Sequence, residues 1–210
     1  MDWRKFVFLT ISAVLVVVAL GCNTREKAFE QSQEPEKSFQ DAHGKFLEDK
    51  TKEAADAIRK GADFVRSQAK AATEEGKELL KRSADELEQL ADKVGQGTAQ
   101  SVKELDDAFS RAYQSLAKSQ QLRAAEKWAE KRFDDTGEDL RKASENLKKA
   151  ARWAGEEFEE NSRIVVEKSR EISENLKEGT GWLASEVGEN MEALGKEVDR
   201  LGEKLRDKSE

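Results

Sequence analysis

Apolar side chains recur every three or four residues along most of the 210-residue chain, and this spacing strongly limits what it can fold into. It is the period of an α-helix that has one apolar face. The chain contains one proline, Pro35, and a single tyrosine, which argues against an all-β protein. The pattern predicts an all-α fold with no β-sheet, in which elongated amphipathic helices form a coiled coil or a loose helical bundle.

Charged side chains limit how such helices can pack. They make up 39% of the chain, whereas an ordinary soluble domain has about a quarter. After residue 21, charged residues are about twice as numerous as large apolar or aromatic ones. We therefore expect too few large apolar side chains for one compact core of this length, and a helical chain that is elongated or folds only under some conditions. The net charge of −7 argues against nucleic acid as a partner.

The first 22 residues have the pattern of an export signal. Arg4 and Lys5 precede an uncharged run, Phe6–Leu20, which as a helix would extend about 22 Å, short of the roughly 30 Å hydrocarbon core of a bilayer. The following junction, VALGC, resembles the lipobox of bacterial lipoproteins. The resemblance implies that residues 1–21 are a signal peptide cleaved between Gly21 and Cys22, and that Cys22 becomes the diacylglycerol-modified, acylated N-terminus.

The residues after the lipobox bear on the location of the protein. In enterobacterial lipoproteins an aspartate directly after the lipidated cysteine favours retention in the inner membrane, and here that residue is Asn23. The resemblance thus implies a protein of the bacterial cell envelope that is bound to membrane lipid through acylated Cys22, in the outer membrane and facing the periplasm. Residues 22–37 are polar and include the only proline, which predicts a flexible tether.

Beyond the tether, residues 38–210 are predicted to form one long helical region with three breaks. Two glycines within three residues, Gly95 and Gly97, predict a turn at 95–97. At 134–137, Thr136 can cap a new helix, with Asp139 three residues later in the position of a capping box. A second pair of glycines predicts the third break, at 178–181.

The last predicted helix has the most regular apolar spacing, which alternates between three and four residues and is typical of a coiled-coil seam. Gly181, Gly188, Gly195 and Gly202 recur every seven residues beside it. These glycines either allow close approach of a partner helix or are tolerated in a solvated chain. The seam residues, which we predict to pack against another helix or to contact a membrane, are Val187, Met191, Leu194, Val198, Leu201 and Leu205.

A 15-residue pattern occurs three times and contains three of the four tryptophans. In each copy a serine precedes a leucine by three residues, and the leucine precedes the tryptophan by six. Trp128, Trp153 and Trp182 would share one stripe if the helix were continuous, because their spacings return to within about 20° of the same face. We predict that they pack at a helix–helix seam or contact a membrane interface.

Residue types that carry chemistry are scarce. The only histidine, His43, has charged neighbours and is expected to be solvated. Because the only cysteine is assigned to lipid, one chain cannot supply a zinc site of ordinary ligands or a Cys–His nucleophile. The sequence also lacks a glycine-rich nucleotide-binding motif. We therefore expect no catalytic residues, no metal, no cofactor and no enzymatic activity.

The alanine-, lysine- and glutamate-rich body, in stretches such as TKEAADAIRKGADFVRSQAKAATEEGKELL, resembles group 3 late-embryogenesis-abundant proteins and exchangeable apolipoproteins. This resemblance implies amphipathic helices that gain order on drying or on lipid. Three hypotheses for the function follow. The first is a membrane-anchored helical lipoprotein with a structural or protein-interaction role, through self-association or an envelope protein partner. The second is a stress-protective or lipid-binding protein, and the third is an accessory subunit of an envelope complex.

Overall fold

The computed structural model describes residues 35–99, 101–157 and 159–207, and within them the chain is helical and forms no strand. The all-α fold predicted from the apolar period is confirmed, and the helices pack together as a bundle. Cys22, its cleavage site and residues 22–34 of the predicted tether lie outside the described residues. The helices are α1 (Glu36–Leu47), α2 (Thr51–Gln68), α3 (Glu74–Gly95), α4 (Val102–Ala129), α5 (Phe133–Trp153), α6 (Glu160–Glu178) and α7 (Ala184–Asp207).

The longest helix, α4, lies at the centre of the packing. It contacts α3, α5 and α7, and α1 packs against its N-terminal half. The helices pair as hairpins, since α2 packs on α3, α4 on α5 and α6 on α7. The buried positions of α4 are spread around the helix rather than along one stripe, and they include Leu105, Ala108, Phe109, Ser110, Ala112, Tyr113, Ser115, Leu116, Ala117, Ser119, Gln120 and Ala124.

The buried apolar residues form one connected core, contrary to the expectation from composition. That expectation counted only large apolar side chains, whereas alanine is the most frequent apolar residue in the core. Small side chains let helices approach closely, so that backbone atoms also fill the interior. Some buried serines find backbone acceptors, as when Ser110 Oγ donates to the carbonyl oxygen of Ala150 at 2.7 Å.

Two of the predicted breaks coincide with helix ends, since α3 ends at Gly95 and α6 ends at Glu178. The break predicted near 134–137 lies slightly earlier, at 130–132, and residues 134–137 form the first turns of α5. The chain turns just before them, where Lys131 adopts a left-handed φ of 59°. Helix α1 begins at Glu36, so the last two residues assigned to the tether are helical. The structure adds breaks at 48–50, 69–73 and after Trp153, where residues 154–157 are not helical.

Gly137 is required by the close approach of α5 and α6 rather than by a turn. A Cβ atom at this position would lie 2.9 Å from the carbonyl oxygen of Ser173 and 3.3 Å from Cβ of Leu176. The oxygen belongs to the backbone of a packed helix and cannot move without shifting α6. The absence of a side chain at Gly137 therefore sets how closely these two helices pack.

The apolar seam of α7 is buried within the same chain, with all six predicted seam residues in the core. Helix α7 packs on α4 and α6. Two glutamines of α4 also bind its backbone. Gln114 Nε2 donates to the carbonyl oxygen of Val198 at 3.3 Å and lies against Gly202. One heptad away, Gln121 Nε2 donates to the carbonyl oxygen of Met191 at 3.4 Å.

The four glycines beside the seam have different roles. Gly195 and Gly202 face the side chains of Gln121 and Gln114, so the close-contact interpretation holds for these two. At Gly188 a Cβ atom would meet no other atom within 4 Å, so this glycine is only tolerated. Gly181 precedes α7 and has a φ of 74°.

We expect Gly137→Ala and Gly188→Ala to change stability in opposite directions. The added methyl group at Gly137 would clash with the backbone of α6 and lower the free energy of unfolding by about 1–3 kcal/mol. At Gly188 it would enter open space, reduce the freedom of the unfolded chain and raise that free energy by up to about 1 kcal/mol. Urea denaturation followed by circular dichroism measures both changes. A stabilising Gly137→Ala would contradict the close approach of α5 and α6.

Candidate functional site: an aromatic cluster at one end of the bundle

Three aromatic side chains from separate segments meet at one end of the bundle. Trp128 lies in the last turn of α4, Phe133 begins α5, and Trp182 lies between α6 and α7. The ring centroids are 5.5 Å apart for the two tryptophans, 5.2 Å for Trp128 and Phe133, and 4.9 Å for Phe133 and Trp182. We call these three residues the terminal aromatic cluster. Their tilted and edge-to-face geometry is favourable for aromatic pairs.

A short turn between α4 and α5 brings Trp128 and Phe133 together. The left-handed Lys131 reverses the chain, and its backbone N–H donates to the carbonyl oxygen of Trp128 at 3.0 Å. Arg132 N–H donates to the carbonyl oxygen of Lys127 at 2.9 Å, which closes the end of α4. Phe133 can therefore start α5 beside the tryptophan five residues earlier.

Two glycines place Trp182. Gly179 and Gly181 have φ values of 70° and 74°, a region that strongly favours glycine, and they turn the chain between α6 and α7. Asn175 Nδ2 donates to the carbonyl oxygen of Gly181 at 2.9 Å. The loop is thus held to the end of α6, and Trp182 is directed onto the other two rings.

The terminal aromatic cluster is only half-buried, and an exposed leucine lies next to it. Trp128, Phe133 and Trp182 contact the core on one side and solvent on the other. Leu183, directly after Trp182, is 63% exposed. Rigid aromatic rings together with an exposed aliphatic side chain are typical of surfaces that bind proteins or membrane interfaces.

A buried ion pair joins α4 and α5 beneath the cluster. Asp139 is 1% exposed, and its Oδ2 accepts a hydrogen bond from Arg123 Nε at 3.0 Å, while Arg123 Nη2 donates to Oδ1. Burial raises the pKa of the Asp139 carboxyl, although the guanidinium of Arg123 opposes this. The two hydrogen bonds fix the orientation of the helices that carry Trp128 and Phe133.

A second aromatic cluster lies in the core near the other end of α4. Phe39 of α1 stacks on Phe109, with ring centroids 4.3 Å apart, and Trp153 meets Phe109 edge-on at 5.1 Å. His43 is half-buried rather than fully solvated, with 31% of its side chain exposed. Its ring is centred 5.8 Å from that of Trp153, and its Nε2 lies 3.5 Å from Oδ1 of Asp106. Burial raises the pKa of the Asp106 carboxyl, and the nearby His43 partly offsets this rise.

The three tryptophans would share one stripe only on a continuous helix, and the structure shows that the helix is broken between them. The helices end at Ala129 and Trp153, so Trp128 and Trp182 meet at one end of the bundle while Trp153 packs in the core near the other end of α4. All three are half-buried against the core, which is the packing role that the sequence offered. The contact of Trp128 with Trp182 was not predicted, since it depends on two turns between them.

Other candidate sites are few among the described residues. The residues described contain no group of three or more His, Cys, Asp or Glu side chains placed to hold a metal ion. Within the same residues, no helix is both long enough and apolar enough to cross a bilayer. An open groove of about 350 Å³ lies between α2 and α3, where Arg59 binds Asp92 at 2.9 Å and Asp56 at 3.2 Å.

Comparison of the chain with protein families, curated proteins and solved structures found no match. The geometry of the chain itself therefore carries the functional argument. The predicted lipidation site, Cys22, and the predicted cleavage site between Gly21 and Cys22 lie outside the described residues.

We expect Arg123→Met to destabilise the protein by about 3–5 kcal/mol at neutral pH, because it leaves the carboxylate of Asp139 buried without a partner. The loss of Arg123 raises the pKa of Asp139 further. The folded variant then binds a proton more tightly than the unfolded chain, so its free energy of unfolding rises as the pH falls through that raised pKa. The deficit relative to the wild type should therefore shrink between pH 7 and pH 5 in urea denaturation.

The double variant Arg123→Met, Asp139→Leu is the matched control. It removes both charges, so it should recover much of the lost stability and remove the pH-dependent part of the deficit. If the single variant shows the same deficit at both pH values, the ion pair does not control the stability of this end of the bundle.

Proposed function

We propose that this protein is a non-enzymatic lipoprotein of the bacterial cell envelope that is anchored through acylated Cys22 and presents the terminal aromatic cluster to a protein partner. One observation carries the interaction role. Three separate segments of the chain place Trp128, Phe133 and Trp182 together at one end of the bundle, where each ring keeps a solvent-facing side. Exposed Leu183 extends this apolar surface. Binding of a partner that excludes water from such an apolar surface is favourable in free energy.

The buried apolar faces of the helices favour a protein that folds on its own. They argue against a stress-protective protein whose helices become ordered only on lipid. A helix that awaits lipid leaves its apolar face uncovered in water. Here the seam of α7 and the apolar face of α5 are both covered by other helices of the same chain. Among the described residues, large apolar side chains are exposed only at Leu47, Ile164 and Leu183, and Leu183 lies at the end of the bundle that carries the aromatic cluster.

The anchor is supported by the lipobox resemblance of the junction VALGC and by its distance from the folded part. Thirteen residues, 22–34, separate the junction from Pro35, and an extended chain of this length spans at most about 45 Å. The tether would therefore hold the bundle close to the membrane. Asn23 after the cysteine supports the outer membrane as the site.

We expect Cys22→Ser to stop metabolic labelling of the protein with palmitate and to leave an unprocessed precursor, because the thiol that receives the diacylglycerol is gone. Labelling followed by electrophoresis measures both effects. Thr24→Ser, two residues away, is the control and should be labelled and processed normally. Labelling of the Cys22→Ser protein at the level of the wild type would rule out the proposed anchor.

We expect a photo-crosslinking amino acid at position 183 to form a discrete protein adduct in intact cells. The same amino acid at Ile164, which is 53% exposed near the start of α6, is the matched control and should form none. Trp182→Ala should abolish the adduct at position 183 while circular dichroism of the purified chain stays unchanged. Equal adducts at both positions, or adducts with lipid alone, would contradict a protein-binding role.

A further inference from the structure

A group of four cations lies where the folded part of the chain begins. Lys37 directly follows Glu36, the first residue of α1, while Lys148, Lys149 and Arg152 lie along one side of α5 near its C-terminal end. Lys37, Lys148 and Arg152 are exposed, and Lys149 is half-buried. We call these four residues the basic face.

Glu36 links the two parts of the basic face. Its Oε2 accepts a hydrogen bond from the hydroxyl of Tyr113 at 2.6 Å, and its Oε1 accepts one from Arg152. Lys149 Nζ lies 5.3 Å from the centre of the Tyr113 ring. The side chain of Glu36 therefore ties the start of α1 to Tyr113 of α4 and to Arg152 of α5. Because the side chain of Glu36 is only 17% exposed while that of Arg152 is 61% exposed, the cation is what faces solvent.

The three lysines of the basic face are not paired with any carboxylate that the structure describes. Among the residues that the structure describes, Lys37, Lys148 and Lys149 have no carboxylate oxygen within 4.0 Å. By contrast, Arg66 on α2 is paired with three carboxylates. The nearby Glu145 is bound by Arg141 at 2.7 Å. A chain with net charge −7 thus keeps a locally positive surface at this site.

We infer that the basic face binds the anionic phospholipid headgroups of the membrane that holds the chain. This inference rests on the proposed anchor at Cys22. The tether enters the fold at Pro35, next to the basic face, and its 13 residues keep this surface within about 45 Å of the acylated cysteine. At such a distance even weak attraction is effective, because the binding is intramolecular. Each lysine or arginine that reaches an anionic surface strengthens binding by about fivefold.

The test uses the mature acylated protein reconstituted into vesicles of phosphatidylcholine alone or with phosphatidylglycerol. An amine-reactive reagent labels exposed lysines, and mass spectrometry measures the extent at each position. We expect labelling of Lys37 and Lys148 to fall by roughly fivefold in the anionic vesicles. Lys70, which is exposed just after α2, is the internal control and should be labelled equally in both. High salt should restore labelling, because it screens the attraction.

A double variant, Lys37→Gln with Lys148→Gln, tests whether the face acts as a unit. It should expose Lys149 to the reagent in anionic vesicles, whereas the matched variant Lys60→Gln with Lys70→Gln should not. Equal labelling of Lys148 in neutral and anionic vesicles would overturn the inference. That result would also follow if the acidic tether residues Glu30 and Glu34 occupied the face. Equal protection by glycerophosphate without vesicles would show a general anion site and overturn it too.

Failure of the anchor and failure of the basic face give different results. A protein without the lipid anchor does not float with phosphatidylcholine vesicles. The same labelling comparison, made with that protein coupled through the thiol of Cys22 to a maleimide-bearing lipid in both kinds of vesicle, then decides the basic face alone. If the protein floats with both kinds of vesicle and is labelled equally in both, the result supports the anchor and overturns the role of the basic face.

Discussion

Close packing around α4 is the constraint on which the rest of the structure depends. Helices α3, α5 and α7 all pack on it, and α1 covers part of its N-terminal half. Neighbouring helix axes lie about 8–10 Å apart, so a helix with several neighbours cannot carry large side chains in every direction. Alanine and serine occupy much of its buried surface. Ser110 shows how polarity is tolerated there, since its hydroxyl donates to a backbone oxygen of α5. The two ends of this helix carry the two aromatic clusters.

This packing explains how a chain with 39% charged residues acquires a core. Alanine buries less apolar area than leucine, but it brings backbones close enough for dispersion contacts and for side chain-to-backbone hydrogen bonds. Gln114 and Gln121 form such hydrogen bonds, since each donates to a carbonyl oxygen of α7. Their side chains lie against Gly202 and Gly195, where a larger residue would leave no room. The charged residues remain on the outer faces, where many pair at i, i+3 or i, i+4. Exposed pairs of this kind add little stability, so the small-residue interfaces are what hold the bundle.

The helical content and the seam of α7 could be predicted because burial itself creates the apolar period. Features that depend on contacts between residues distant in sequence could not be predicted. Gly137 favours a turn by local preference, but α6 packing closely against it explains why it has no side chain. Lys131 carries the real turn, and no sequence preference marks a lysine for a left-handed conformation. The terminal aromatic cluster depends on this turn and on the loop before α7. Trp128 and Trp182 were therefore recognised as a pattern, but their contact was not.

The position of α1 gives the bundle two chemically different regions at a fixed separation. Its first residue, Glu36, is held by Tyr113, which lies 15 residues before Trp128 on α4. At 1.5 Å per residue, the terminal aromatic cluster is about 22 Å along the helix from the point where the tether enters the fold. Because α4 is an unbroken helix packed by its neighbours, it cannot shorten or bend to change this distance. Attachment at the basic face would leave the aromatic rings clear of the attachment site, at a spacing set by α4 itself.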